Sequence, residues 1–162
     1  MKNETLSYLS LGSNINDKSL HLNKAIKYLS IDVNILNVSS IYKTDPLYYT
    51  KQSSFLNMVV EISTKYNFND LLKLCKNIEI KIGRKLNKHR NRERIIDIDI
   101  LTFNDSIYSD DNITIPHPKI HERKFVLIPW AEISPKYFLV NYRKNVTSLL
   151  NNTKDNSKVV KL

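Results

Sequence analysis

The segment Arg94-Ile95-Ile96-Asp97-Ile98-Asp99-Ile100-Leu101 alternates isoleucine with carboxylate at a period of two. Only an extended strand sorts such residues onto two faces, so Ile96, Ile98 and Ile100 point one way while Asp97 and Asp99 stand side by side on the other. Their α-carbons are then about 6.6 Å apart. Aspartate is disfavoured in strands, and like charges on one face repel. A hard cation such as Mg²⁺, singly or as a pair, would remove that conflict if the carboxylate oxygens converge. A half-exposed strand with a solvated face alternates in the same way.

The rest of the chain decides what this strand joins. Residues 5–11 alternate as a strand and end at Gly12. Asn16 or Asp17 can cap a following helix whose Leu22, Ala25, Ile26 and Leu29 share one face. Residues 35–42 read as a second strand, followed by a polar loop through Asp45-Pro46 to Ser54, and residues 55–62 as a third. Asn67 or Asn69 can cap the next helix, with the stripe Leu71, Leu74, Cys75, Ile78, Ile82 and a stop at Gly83. After the acidic strand, over residues 95–103, come an expected hairpin through Asn104-Asp105 and a helical segment over residues 120–132. The order is βαββαβ plus extras, which predicts an α+β, ferredoxin-like sandwich with helices on one face of an antiparallel sheet. Without a repeat, a linker or a composition break before about residue 150, all 162 residues form one domain, with residues 151–162 expected to fray.

Charge and glycine content narrow the partners. Lys and Arg number 25 against 16 Asp and Glu, a formal charge of +9, which favours an anion: nucleic acid, a membrane surface or a phosphorylated small molecule. Only Gly12 and Gly83 are present, too few for a glycine-rich phosphate loop. A phosphate must therefore be held by Arg, Lys and metal. The basic run over residues 84–94 abuts the acidic strand, so an anion site and a cation site would be neighbours, as a Mg²⁺-bound nucleoside triphosphate requires. The same run could be a solvated loop or the patch of a small RNA-binding module of this fold. Against RNA, there is no aromatic strand of the RNP kind and no zinc-finger spacing. No apolar run reaches the roughly 18 residues of a membrane span, nor do the first residues have a signal-peptide layout. The single cysteine, Cys75, suits a reducing compartment, so the expected location is the cytoplasm.

His117 and His121 are spaced like metal ligands, but Phe125 stands where a second zinc-helix histidine belongs, and His117 reads better as a phosphate donor. Phe55 and Phe125 lie next to polar residues and could flank a planar heterocycle, although core packing is the commoner use of such rings. Glu79 could be a plain surface charge. Nothing has the layout of a Ser-His-Asp nucleophile.

Taken together, Leu11-Gly12-Ser13-Asn14, Ser40-Ile41-Tyr42-Lys43-Thr44-Asp45-Pro46, Phe55-Leu56-Asn57-Met58-Val59-Val60-Glu61, Ile78-Glu79 with Gly83-Arg84, the acidic strand, and Pro116-His117-Pro118 through Glu122-Arg123-Lys124-Phe125-Val126-Leu127 carry a resemblance over nearly the whole chain. In that order and spacing the set resembles the 6-hydroxymethyl-7,8-dihydropterin pyrophosphokinase family of the folate pathway. The resemblance implies a monomer that transfers the terminal pyrophosphoryl unit of ATP to the pterin hydroxymethyl oxygen and releases AMP, acting on small molecules without nucleic acid or membrane partners. It implies that Asp97 and Asp99 bind two Mg²⁺ ions and that Arg84 and Arg94 offset developing charge. Phe55 and Phe125 would stack on the pterin, Asn57 would bond its edge, and Thr44 and Leu47 would supply backbone contacts. Glu79, Ile100, His117 and Arg123 would lie on the ATP side together with Arg84 and Arg94. Loops over about residues 43–54 and 84–95 would close over the substrates. The sequence departs from the family pattern in these loops, with Arg92-Glu93-Arg94 in place of Gly-Pro-Arg, Asn91 in place of a tryptophan and Tyr48 in place of glycine.

Overall fold

In the computed structural model, residues 4–45, 53–85 and 93–162 are described. The alternating first segment forms β1 (Thr5–Ser13) and leads into α1 (Lys18–Asp32). Of the two candidate caps it is Asp17 that acts, its carboxylate accepting from the Leu20 amide at 3.0 Å. Leu22, Ala25 and Leu29 are buried, as their spacing requires. The strand expected over residues 35–42 is two strands, β2 (Asn34–Val38) and β3 (Tyr42–Thr44), both antiparallel to β4 (Phe55–Thr64). The break has a specific partner. The Ser40 amide and hydroxyl turn away to the two oxygens of Glu132, each at 2.7 Å.

Asn67 caps α2 (Phe68–Ile82) by accepting from the Asp70 amide at 2.9 Å. Leu71, Cys75 and Ile78 are buried, and Gly83, with φ of 118°, ends the helix in the left-handed region that a Cβ disfavours. The acidic segment forms β5 (Asp97–Phe103). The hairpin expected at residues 104–105 does not form there. Asn104 instead adopts a positive φ and ties back to β1, its amide donating to the Leu6 carbonyl at 2.7 Å and its side chain accepting from the Leu6 amide at 3.0 Å. A separate ribbon pairs β6 (Tyr108–Ser109) with β7 (Thr114–Ile115).

The helical segment expected over residues 120–132 is a single 3-10 turn, Ile120–Glu122, followed by α3 (Lys124–Ile133), the two separated by extended backbone at Arg123. A ribbon of β8 (Phe138–Leu139) and β9 (Lys144–Asn145) leads to α4 (Val146–Asn152). The stretch expected to fray then returns to the sheet as β10 (Val159–Lys161), antiparallel to β3 with Val159 opposite Thr44 and Lys161 opposite Tyr42. Its backbone groups find partners on what would otherwise be an open sheet edge.

The sheet runs β10-β3-β4-β1-β5, with β2 also beside β4. Its central four-strand order is that of the expected ferredoxin-like unit. The expectation of helices on one face needs correcting, because both faces are covered. Leu9, Leu11, Val60, Ile98 and Ile100 pack with α1 and α2, whereas Tyr8, Val59 and Leu101 pack with Val126 and Trp130 of α3 and Leu149 of α4. Neighbouring apolar pairs such as Val59-Val60 and Ile100-Leu101 are what a strand buried on both faces needs. Among the described residues, no helix is long and apolar enough to cross a membrane.

Candidate active site

One cross-strand row organises the site. Gly12 of β1 lies opposite Asn57 of β4 on one side and Asp97 of β5 on the other, and Asn57 in turn lies opposite Tyr42 of β3. Thr44 is opposite Phe55, and Ser10 is opposite both Val59 and Asp99. By strand alternation, Thr44, Phe55, Asn57, Asp97 and Asp99 share the face that carries Tyr8, Val59 and Leu101, which is the α3 face. Ile96, Ile98 and Ile100 are buried in the opposite cluster. The split read from the acidic segment is the one observed.

At the Asn57 end, the side-chain amide donates to Thr44 Oγ1 at 2.8 Å, and both residues are buried. Thr44 thus contributes its hydroxyl to the site as the orienter of Asn57. Gly12 is required beside them, because a Cβ there would stand 3.0 Å from Asn57 Oδ1. Gly12→Ala should push the Asn57 amide off Thr44 and weaken any ligand that reads it by about tenfold, the loss of roughly one buried hydrogen bond. Titration of ligand against variant and wild type checks this, and equal affinities would refute it.

At the other end a chain of charges links α2 to β5. Glu79 is only 2% exposed and is no surface charge. One of its oxygens accepts from Lys76 Nζ at 2.9 Å and from the Ile98 amide at 2.7 Å, and the other accepts from Arg84 at 2.6 Å. Burial pushes its carboxyl above the usual range against the pull of Lys76, with Asp97 adding to the rise. The same Arg84 nitrogen reaches Asp97 Oδ1 at 2.5 Å, and Arg94 bonds Asp97 Oδ2. Burial works against ionisation of Asp97, but Arg94 and Arg84 outweigh it and hold the carboxyl below its ordinary value. Arg94 is fixed through its backbone as well. Its amide donates to Asn14 Oδ1 at 2.6 Å and its carbonyl accepts from the Asn14 amide at 3.1 Å.

Asp99 is placed differently. Among the described residues its ion-pair partner is Arg123, at 3.9 Å, and burial together with the charge of Asp97 pushes its carboxyl up to about 6 against the pull of Lys76 and Arg123. Two adjacent carboxylates, one of them made harder to ionise by burial and by the charge of the other, form a hard-oxygen donor pair that favours a divalent cation. Arg123 also lies 5.7 Å from the centre of the Phe125 ring, at the start of α3. His117 accepts at Nδ1 from the Lys119 amide at 3.2 Å, and burial plus the neighbouring Arg123 lower its pKa to about 4. It is therefore neutral, with its proton on Nε2, a donor suited to a phosphate oxygen.

Most of the residues singled out from sequence thus meet on one face or at its edge. Ile100 is the exception among those described. Its side chain is 4% exposed in the opposite core, which leaves only its main chain for a ligand. Leu47 lies outside the described residues, as do Tyr48, Asn91 and Arg92. His121 bonds Tyr142 at 3.1 Å and pairs with Glu122 at 3.4 Å. Lys76 was not anticipated, nor was the structural use of Asn14. The burial of Glu79 had a readable signal: with Leu71, Cys75 and Ile78 it falls at i, i+4, i+7, i+8, inside the apolar stripe.

The model of the family described as 7,8-dihydro-6-hydroxymethylpterin-pyrophosphokinase matches residues 8–135, which include every described site residue above. The chain belongs to this pyrophosphokinase family. A 2-amino-4-hydroxy-6-hydroxymethyldihydropteridine pyrophosphokinase of Bacillus subtilis (strain 168) is 44% identical to it over 130 residues, 79% of this chain and 77% of that protein. The protein of the same name from Haemophilus influenzae is 34% identical over 158 residues, covering 96% and 97%. Among solved structures, the wild-type HPPK-DHPS of Plasmodium falciparum matches with a TM-score of 0.74 over 93% of this chain at 18% identity, a likeness of fold. This chain spans 45% of that longer one.

Proposed function

We propose that this chain is a 2-amino-4-hydroxy-6-hydroxymethyldihydropteridine pyrophosphokinase of folate biosynthesis, with ATP as co-substrate, and that the Asn57-to-Asp97 face is its active site. In the reaction, the pterin hydroxymethyl oxygen forms a bond to the β-phosphorus of ATP. The bond from that phosphorus to the oxygen it shares with the α-phosphorus breaks, AMP leaves, and the hydroxyl proton is lost. The observation that carries the reading is the placement of a fixed amide and two carboxylates on one sheet face, with guanidiniums around the carboxylates.

Asn57, held by Thr44, reads the edge of the heterocycle, while Phe55 and Phe125 offer their faces to it. Arg84 and Arg94, now on Asp97, have donors in a geometry that suits phosphate oxygens, and His117 and Arg123 complete a cationic and neutral donor set for the triphosphate. Asp97 and Asp99 are the residues that would hold Mg²⁺, two ions by the family resemblance. Bound there, Mg²⁺ supplies neutralisation of phosphate charge. The protein's share is positioning and fixed electrostatics.

The chain acts as a monomer in the cytoplasm, on small molecules and without nucleic acid or membrane partners. Incubating it with ATP, Mg²⁺ and 6-hydroxymethyl-7,8-dihydropterin should release AMP only when pterin is present. No pterin-dependent AMP from folded protein would overturn the reading. Removal of the α3 ring tests the slot separately. Phe125→Ala should weaken pterin binding by about tenfold and ATP binding by less than twofold, since a stacked ring contributes on the order of 1 kcal/mol or more. Calorimetry that finds equal losses for both would rule the slot out.

A further inference from the structure

Residues 153–161 lie outside the span matched by the family model, yet they hold the wall of the proposed pterin slot at three points. α3 begins without a side-chain cap of its own, because Arg123 at the capping position supplies none. The cap comes from elsewhere in the chain: Asp155 Oδ2 accepts from the Lys124 amide at 2.8 Å, directly before Phe125. Asp155 is itself fixed, with Oδ1 accepting from the Ser157 amide at 2.8 Å and its own amide donating to Thr153 Oγ1 at 3.3 Å.

The second point is at the far end of the same helix. Glu132 lies seven residues, two turns, after Phe125 and hence on the same side of α3. Its Oε1 accepts from Lys161 Nζ and from Ser40 Oγ, both at 2.7 Å, while Oε2 accepts from the Ser40 amide at 2.7 Å and from the Tyr42 hydroxyl at 3.3 Å. The third point is the sheet itself. β10 pairs with β3, placing Val159 opposite Thr44, and the Leu162 amide donates to the Ile41 carbonyl at 3.0 Å. One strap therefore grips α3 at both ends and the strand that carries Thr44.

We infer that the strap formed by Asp155 and β10 sets the separation between Phe125 on α3 and the Thr44–Asn57 pair on the sheet, making Asp155, Glu132 and Lys161 positioning residues for the pterin. This rests on the functional reading above and goes beyond it by assigning a role to residues that touch neither substrate. Among the described residues Arg84, Arg94, Asp97 and His117 have no bond to the strap, but Arg123 stands at the capping position of α3 beside the Asp155 contact. Loss of the Lys161 end should therefore be felt by the pterin and not by ATP, whereas loss of Asp155 also reaches Arg123.

The test uses the full chain with substitutions Asp155→Ala, Asp155→Asn and Lys161→Met, each checked for folding by circular dichroism. Asp155→Ala and Lys161→Met should raise the KM for pterin about fivefold to tenfold, the scale set by a lost helix cap. In Lys161→Met the KM for ATP and kcat at saturation should stay within about twofold. Asp155→Asn should restore the wild-type KM, because an asparagine oxygen caps a helix as well as a carboxylate does. Pterin KM unchanged in both Asp155→Ala and Lys161→Met, or raised in Lys161→Met equally with that for ATP, would overturn the proposal. If Asp155→Ala does not fold, Lys161→Met and the Asp155→Asn rescue decide it on the same criteria. A wild-type chain without pterin-dependent AMP release would overturn the functional reading, and the strap's role with it, which is a different result from active enzyme with indifferent variants.

Discussion

Asp99→Asn should lower pterin-dependent AMP release by a factor on the order of 10²–10³ and yet leave the protein harder to melt at neutral pH. The loss of rate follows from removing one of the two hard-oxygen donors proposed for Mg²⁺. The gain in stability follows from the same crowding that makes the pair useful. Burial and the charge of Asp97 raise the Asp99 carboxyl from its ordinary 3.8 to about 6. Between those two values the folded chain keeps a proton that the unfolded chain has released. Stability from this group is therefore intact below about pH 4, falls as pH rises to about 6, and stays reduced above it. An uncharged asparagine escapes that loss. Its melting temperature should exceed the wild type's by a few degrees at pH 7.5, on the scale of about 2–4 °C per kcal/mol for a chain of this size, and the two should converge near pH 4. Adding Mg²⁺ and ATP should raise the wild-type melting temperature more than that of the variant. Coincident melting curves at pH 7.5 without ligands would show that the Asp97–Asp99 repulsion is not real.

The second large effect belongs to Glu79. Glu79→Ala deletes a buried carboxylate that satisfies Lys76, Arg84 and the Ile98 amide at once. Breaking such an arrangement on one side leaves a buried amide without a partner and a guanidinium half-paired, at a cost of about 3 kcal/mol. The melting temperature should drop by about 6–12 °C. Glu79→Gln should lose less, since the amide oxygen can still accept from Ile98. The ATP KM should rise in both, because Arg84 loses the partner that fixes its direction. A thermal scan with Glu79→Ala within 2 °C of wild type would contradict the buried role.

Much of this was readable before any coordinates, for identifiable reasons. The period-two pattern of residues 95–101 settles which side of the strand each aspartate takes, because alternation is a property of the backbone and survives any tertiary context. Helix caps and stops at Asp17, Asn67 and Gly83 are equally local. What escaped was non-local. The division of residues 35–42 into two strands depends on Glu132, more than ninety residues away in the chain. The return of residues 159–161 to the sheet depends on an open edge at β3, which nothing in their own composition reveals. Coverage of the second face was legible in principle from Val59-Val60 and Ile100-Leu101, but two-sided burial is easily mistaken for a run of core residues on one side. Of the proposed site, Asp97 and Asp99 were legible by spacing, the basic run and His117 by residue type, and Phe55 and Phe125 as candidates, while roles for Arg123, Glu79 and Asn57 came only from the family resemblance; Lys76 and the hydroxyl of Thr44 were hidden because each acts through a neighbour.

The cross-strand row of Asn57, Gly12 and Asp97 also works as a ruler. Neighbouring strands lie about 4.8 Å apart, so in the proposed site the residue assigned to the heterocycle and the residue assigned to phosphate charge are separated by two strand spacings, about 10 Å. That length is written in peptide hydrogen bonds, the least compliant part of the molecule, and not in side-chain reach. A substrate a bond longer or shorter between its recognised edge and its hydroxyl could be gripped at one end only. Nor could the gauge be adjusted gradually by mutation: a one-residue slip of β5 against β1 would turn both aspartates into the core. On the proposed reading, selectivity for the length of the acceptor is inherited from the fold itself, and loops and rings are left to tune how fast and how tightly it is held.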